Sequence, residues 1–580
     1  MKINSLKRKF LKSALYSLAF LWGGASAFEL EFEDPTVSGF IDSTVTASVA
    51  MTTKGAPSQA RTPSGRANVF EDAGEVYSAP LSIITDLGLR KGDWGVFTRF
   101  GYLYDFEVMD GSNKCTNCGG SPALNRTPGG ALDGIPEGAR NEYNAFTLYD
   151  LFIYGDLELA GHLTSLRVGK QVVNWGESNI MGGGLSTVIN PSDLVKLTTP
   201  GTEIKETLLP QEMVYVNYGL SDNTSLEAYY VWNWRRSEFV PVGSFFSPFD
   251  FLGQGFNPDL NVPGVEKRGT DKAKRGGQWG VALHHVLSDF NDMDLGVYWV
   301  RSHAQQPYLQ ANFDPAGPAV IPGLFTSYHE VFAEDQDTYA ISLSGELGQT
   351  GISFQTEVSM RDDFWDTREC QNFFGLAGIL GAIGAAPFPT SWTPAYPGTG
   401  GVPGCDNEAN DVYTWLGNLT LTGAGHFGSD SHAYLFDWQA QWVDGQSRGD
   451  LTDKVSVNGF NSSGIYSSFA HGGERSPGVD QLDRLVTDFS WGYALVASYT
   501  YNNLFWDLNV KPAFVFIHNV EGYEPFNTGA LIENQRTARA SLTFDYQGEL
   551  SLELAATWWP GKEGTWSDRD NVSAILKYSF

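Results

Sequence analysis

The sequence predicts an all-β fold, a transmembrane antiparallel β-barrel of about 18 strands (16–18) with long extracellular loops and one inward-folded constriction loop. Three observations predict it. The last segment, Asp570–Phe580, alternates: Val572, Ala574, Leu576, Tyr578 and Phe580 share one face, and Ser573, Ile575, Lys577 and Ser579 the other. Strands have a period of two, so this terminal strand is apolar on one side and mostly polar on the other. The N-terminus reads as an export signal over residues 1–27: basic Lys2, Lys7, Arg8, Lys9 and Lys12, an apolar run Ser13–Trp22, and the small residues Ala25-Ser26-Ala27. Tight turns and long connections alternate along the rest of the chain, as in outer-membrane barrels.

Eighteen strands are read at 37–52, 75–89, 93–107, 143–159, 163–173, 212–220, 224–234, 276–288, 293–303, 336–347, 351–361, 411–425, 431–443, 486–501, 504–518, 532–546, 549–559 and 570–580. Every second connection is a Gly/Asp/Asn/Ser-rich hairpin signal, among them Ala160–His162, Ser221–Asn223 and Asn502–Asn503. The even count puts both ends of the chain on the periplasmic side. No run of about 18 apolar residues follows Phe28, so only a closed barrel is available to span a bilayer. Residues 28–580 form one domain, for the few residues before the first strand are too short for a separate plug.

The alternation also assigns a face to each charge. Leu226, Ala228, Tyr230 and Trp232 oppose Glu227; Ile352, Phe354 and Val358 oppose Glu357 and Arg361; Ala540, Leu542 and Phe544 oppose Arg539 and Asp545; Leu552 and Leu554 oppose Glu553. A charge on the lipid face costs roughly 2–4 kcal/mol at mid-depth. Glu227, Glu357, Arg361, Arg539, Asp545, Glu553 and Lys577 are therefore expected to face a polar lumen, as are Glu346, Asp437 and Asp507.

The longest departure from alternation in the first half is 174–211. It carries Asn174, Trp175, Glu177 and Ser178, three glycines at Gly182, Gly183 and Gly184, and Asn190-Pro191 with Asp193. Consecutive glycines permit left-handed or close-approach backbone, and Asn190 must be extended before Pro191. Ile180, Met181, Leu185, Val188, Ile189, Leu194, Val195 and Leu197 are too apolar for a loop in water. Folding into the barrel as a constriction is the reading preferred; packing on neighbouring surface loops is the alternative. These residues are the candidate ligand path. For Glu177, hydrogen bonding to the loop backbone is expected.

Four cysteines lie in extracellular loops. In an exported chain Cys115–Cys118 and Cys370–Cys405 bridges are expected, with free thiols the alternative. The apolar run Phe373–Pro389 lies between the last two, as a receiving patch for a greasy ligand or as a lid over the mouth.

The stretch Arg167–Trp234 resembles the proteobacterial outer-membrane family catalogued as domain of unknown function 1302. The shared pieces are GKQVVNWGES (169–178), VINPSD (188–193), PGTEIKE (200–206) and LSDNTSLEAYY (220–230). The resemblance implies the barrel and a role in moving hydrophobic or lipid-like molecules through the envelope. It also implies an envelope exporter and a periplasmic carrier as partners. Family and fold by themselves fix no activity.

Other functions are disfavoured. Removing the signal's five basic residues from 38 leaves 33 against 67 acids, a net charge near −34, which excludes nucleic acid. Neither GxSxG nor HExxH occurs, and the nine histidines are scattered. The acidic cluster around Asp292 lacks the glycine and terminal glutamate of a calcium loop. No enzyme activity, cofactor or metal is expected. The expected partners are outer-membrane lipid and lipopolysaccharide, and the barrel-assembly machinery through the C-terminal strand; the location is the cell outer membrane. Three functions remain: passage of a hydrophobic or amphipathic molecule, general diffusion of small polar or cationic solutes, and display of loops without transport.

Overall fold

Eighteen antiparallel strands pair with their neighbours in chain order, and the last pairs with the first. The structure is a computed structural model and describes residues 28–55, 70, 72–111, 141–241, 244–246, 266–312, 327–366, 408–444, 487–522, 524, 531–560 and 569–580. The first nine strands are β1 (Val37–Thr52), β2 (Pro80–Lys91), β3 (Trp94–Asp105), β4 (Asn144–Leu159), β5 (His162–Gln171), β6 (Gln211–Ser221), β7 (Thr224–Asn233), β8 (Gln278–Leu287) and β9 (Met293–Ser302). The second nine are β10 (Gln336–Glu346), β11 (Ile352–Asp366), β12 (Glu408–Gly423), β13 (Ser431–Val443), β14 (Phe489–Phe505), β15 (Leu508–Glu521), β16 (Arg536–Tyr546), β17 (Leu550–Trp558) and β18 (Asn571–Ser579). Each coincides with an expected strand, with ends shifted by a few residues.

The closing seam runs from Thr44 opposite Ser579 to Thr52 opposite Asn571. Phe580 completes it, since its N–H donates to the Ser43 carbonyl (2.8 Å) and its carbonyl accepts from the Ser43 N–H (2.7 Å). Closure leaves no edge strand, the condition for placing a sheet in hydrocarbon. The outer face supplies the rest of the argument. Ile341, Val358, Leu495 and Leu554 expose 43–48% of their surface around the wall. A continuous apolar band of this kind is not covered by anything in the described chain, and lipid is the solvent that covers it.

Two expectations need correcting at the short-turn end. Asn502–Asn503 is not the turn. Instead β14 continues to Phe505, its pairing with β15 slips between Tyr501 and Phe505, and the chain reverses at Trp506–Asp507, both in left-handed conformation (φ +53° and +59°). Asp507 therefore belongs to a turn, not to the lumen wall. The asparagines were a sound turn signal, but cross-strand pairing prevails over local propensity here. Glu346 is exposed at the end of β10, where Oε1 accepts from Gly351 N–H (3.1 Å).

Two further elements were not anticipated. Phe28–Leu30 adds a short strand to β1, and Glu266–Asp271, Ser327–Val331 and Tyr308–Asn312 form a separate three-stranded sheet at the long-loop end. The export signal (1–27), all four cysteines and Phe373–Pro389 lie outside the described residues.

The core lies inside the cylinder. Leu185, Val188, Ile189 and Trp175, all from the segment between β5 and β6, pack on Met213, Tyr229, Tyr298 and Val300 of the inner wall. The apolar excess of that segment thus has a place out of water.

Candidate functional site: the constriction segment

Residues 172–210 leave β5 and rejoin the wall at Gln211, which is the first residue of β6 and not part of the loop. Between them the chain crosses the lumen by short helices, Ser186–Ile189 and Leu194–Thr198, and the 3₁₀ turn Ile204–Glu206. None is long enough to be stable alone. Their positions are set by the wall.

Three inward acids hold the first half. Glu227 on β7 accepts from Trp175 Nε1 (2.6 Å) and from the Tyr215 hydroxyl (2.7 Å). Glu357 on β11 is completely buried and accepts two loop backbone N–H groups, Glu177 at 3.0 Å and Leu185 at 2.9 Å. Asp437 on β13 accepts from Ile180 N–H at 2.8 Å. Carboxylates are strong acceptors, so these bonds replace the water a lumen-exposed backbone would otherwise need. Arg361, beside Glu357, donates through Nη2 to the Gly184 carbonyl (3.2 Å) and to the Thr187 hydroxyl.

The glycines follow from this close approach. A Cβ on Gly184 (φ +62°) would lie 2.2 Å from Glu357 Oε1, and one on Gly183 (φ +92°) would lie 2.8 Å from Gln439 Nε2. Gly182 has open space around it. Asn190 clamps the loop base: its amide donates to the Val173 carbonyl (2.7 Å) and its Oδ1 accepts from the Val173 N–H (3.3 Å). The Pro191 carbonyl accepts from Leu209 N–H (2.7 Å).

The second half reaches the opposite wall. The Pro200 carbonyl accepts from Ser48 Oγ on β1 (2.6 Å). Glu203 is 3.6 Å from Lys577 on β18, and Lys205 is 3.8 Å from Asp86 on β2. The segment therefore touches β7, β11 and β13 with one arm and β1, β2 and β18 with the other. Lys511–Asp545 (2.7 Å) and Arg539–Glu553 are ion pairs on the inner wall of β15–β17, which the loop does not cover.

The candidate path residues thus divide. Trp175, Gly183, Gly184, Asn190, Pro191 and Asp193 are buried in the seating of the loop, whereas Asn174 is exposed, and Ser178 and Gly182 are half-buried. Glu177 differs from expectation. Its carboxylate bonds Ser342 of β10, not the loop backbone, and burial together with Glu357 raises its pKa.

Sequence reasoning missed an apolar patch on the inner wall. Asp437 faces inward, since it bonds the loop. Its partners across the sheet, Ala494 and then Ile517, share its face. One pair nearer the short-turn end, Leu435, Val496 and Val515 form the next inward row. All four large side chains, Leu435, Val496, Val515 and Ile517, are half-buried and face the lumen. The signal was present: β15 reads Ala513-Phe514-Val515-Phe516-Ile517, apolar on both faces.

A titrating cluster sits where the segment meets the long-loop end. Burial raises Asp193 to about 6, although it caps Lys196 N–H (2.9 Å). Burial, with Glu238 and Asp193 adding repulsion, raises Glu142 to about 7. Burial lowers Lys196, which acts at the alkaline end. Both carboxyls bind protons more tightly in the folded loop than in an unfolded chain. Their contribution to its stability is therefore complete below about pH 4 and is lost as pH rises through 6 to 7. Corrected for the intrinsic pH dependence of amide exchange, protection across 190–199 is expected to rise on acidification from pH 7.5 to 5; a fall in protection would contradict this packing.

Among the described residues, Asp362, Asp363 and Asp411 bring carboxylate oxygens within 4.8 Å of one another at the long-loop end of β11 and β12.

The family described as "Protein of unknown function (DUF1302)" matches residues 9–580, and the chain belongs to that family. No curated protein matches the sequence. Solved structures with a similar outline include OccAB3 of Acinetobacter baumannii, at 10% identity and a TM-score of 0.39, covering 93% of this chain and 99% of that one. OccK2 (OpdF) of Pseudomonas aeruginosa, solved in complex with glucuronate, shows 9% identity and a TM-score of 0.39, with 93% and 98% covered.

Proposed function

We propose that this member of the DUF1302 family is a channel of the bacterial outer membrane, narrowed by its own 172–210 segment, that passes a hydrophobic or amphipathic, lipid-like molecule. The observation that carries this reading is the inward patch of Leu435, Val496, Val515 and Ile517 beside the seated loop. Half-exposed aliphatic side chains facing a wet lumen cost roughly 1 kcal/mol each unless something apolar covers them. The ion pairs Lys511–Asp545 and Arg539–Glu553 lie on the adjoining wall, so a solute with an apolar chain and a polar head meets both kinds of surface.

The same paired charges favour the second reading, a diffusion channel for small polar or cationic solutes. Val515→Asn separates the two. In vesicles, passage of a twelve-carbon dye with a fixed-charge head group is expected to fall about tenfold, from the loss of about 1.5 kcal/mol of apolar contact, while glucose passage stays unchanged. Equal change in both solutes would favour the diffusion channel.

In this reading the C-terminal strand is the handle for the barrel-assembly machinery. Outer-membrane lipid and lipopolysaccharide surround the wall, and an envelope exporter and a periplasmic carrier would work at the short-turn end.

A further inference from the structure

A cavity lies on the long-loop side of the seated segment, against the inner wall of β9–β11. Its volume is about 90 Å³, room for about three waters at liquid density. Its polar lining includes Ser192 of the loop, Ser302, His303, Gln336, Thr338 and Arg361. The strands place them there by pairing: Ser302 stands opposite Gln336, and Thr338 opposite Arg361. Arg361 faces inward, since it bonds the Gly184 carbonyl, so Thr338 and Gln336 share that face.

Two of these groups have no partner among the described residues. Thr338 is 1% exposed and its hydroxyl makes no hydrogen bond; the amide Nε2 of Gln336 is buried and likewise unpaired. Buried donors left unmatched cost free energy that a ligand's acceptor atoms would recover. The sign of that ligand follows from the charges. One guanidinium borders the cavity, and no carboxylate is among the described residues that line it, in a chain with 67 acids. Val188 and Phe364 close the remaining side with apolar surface.

We propose that this cavity is a binding site for a small anion bearing at least two acceptor oxygens on a short apolar stub, of the size of a short-chain carboxylate. One oxygen accepts from the Gln336 amide and the Thr338 hydroxyl, and the Arg361 guanidinium, which also faces Glu357, is the bordering positive charge. The site does not depend on what the lumen passes, for it stands on the orphaned donors and the bordering guanidinium.

The test is saturation-transfer NMR on the full chain in lipid nanodiscs, with butyrate as the probe and butanol and butylammonium as neutral and cationic isosteres. Butyrate is expected to bind at least tenfold more tightly than either. Thr338→Val, which keeps the shape and removes the hydroxyl, and Gln336→Leu should together weaken butyrate about tenfold. Thr338→Ser should restore most of the Thr338 share. Unchanged gel mobility and melting of each variant serve as the folding control. Equal binding of butanol, no binding of butyrate, or indifference to Thr338→Val would each overturn the assignment and leave a merely hydrated cavity. Butyrate binding with no amphiphile passage would uphold this site and sink the channel reading instead.

Discussion

Glu357→Leu is expected to unseat the constriction segment while leaving the barrel closed. The carboxylate is fully buried and accepts the N–H groups of both Glu177 and Leu185. Hydrogen bonds to a charged acceptor contribute about 1.5–3 kcal/mol each, and a buried donor stripped of its partner bears its full desolvation cost. Losing both weakens the seated state by on the order of 3–6 kcal/mol, or roughly 10²–10⁴ in the population of the open state. Amide exchange at 177 and 185 should accelerate by about that factor, while exchange in the ladders of β1 and β18 stays slow. Glu357→Gln keeps one acceptor oxygen and should show a much smaller effect. Unchanged exchange in the leucine variant would mean that the inner acids do not hold the loop. Glycine is required opposite this carboxylate for the same reason, since any Cβ at Gly184 would meet it at 2.2 Å.

Much of this was legible in the sequence. The wall was readable because a strand in a membrane obeys two conditions at once, a period of two and a lipid-facing apolar side. Ile352, Phe354 and Val358 against Glu357 and Arg361 meet both. The inward loop was readable because Leu185, Val188 and Ile189 needed a dry surface. What alternation cannot give is the neighbour across the lumen. It turned Glu357 and Asp437 inward but left them facing water, whereas they face the loop's own amides. Sequence distance explains this, because Glu357 and Leu185 are 172 positions apart. The cavity of Gln336, Thr338 and Arg361 was hidden for the same reason, as it exists only through strand pairing. Asp507 failed differently. Two asparagines outweighed the long-range register in a local reading, and the register prevailed.

Deleting Gly182–Pro191 is expected to have the largest effect of all. These residues carry the Arg361 contact at Gly184, the Leu185 bond to Glu357 and the Asn190 clamp. Without them the first arm keeps only the Trp175, Glu177 and Ile180 bonds to the wall, and Leu185, Val188 and Ile189 no longer fill the lumen. A barrel of eighteen strands is wide enough to leave an aqueous channel when nothing fills it. The wall itself loses no ladder bond, so the variant should still assemble and run as a folded barrel.

Conductance of the intact and the deleted protein, each in the same planar bilayer, measures the central claim directly. The account predicts a small current from the intact chain, and steady steps several-fold larger after the deletion. Porin-like steps of equal size from both proteins would contradict it, for then the segment that crosses the lumen would not be what narrows it.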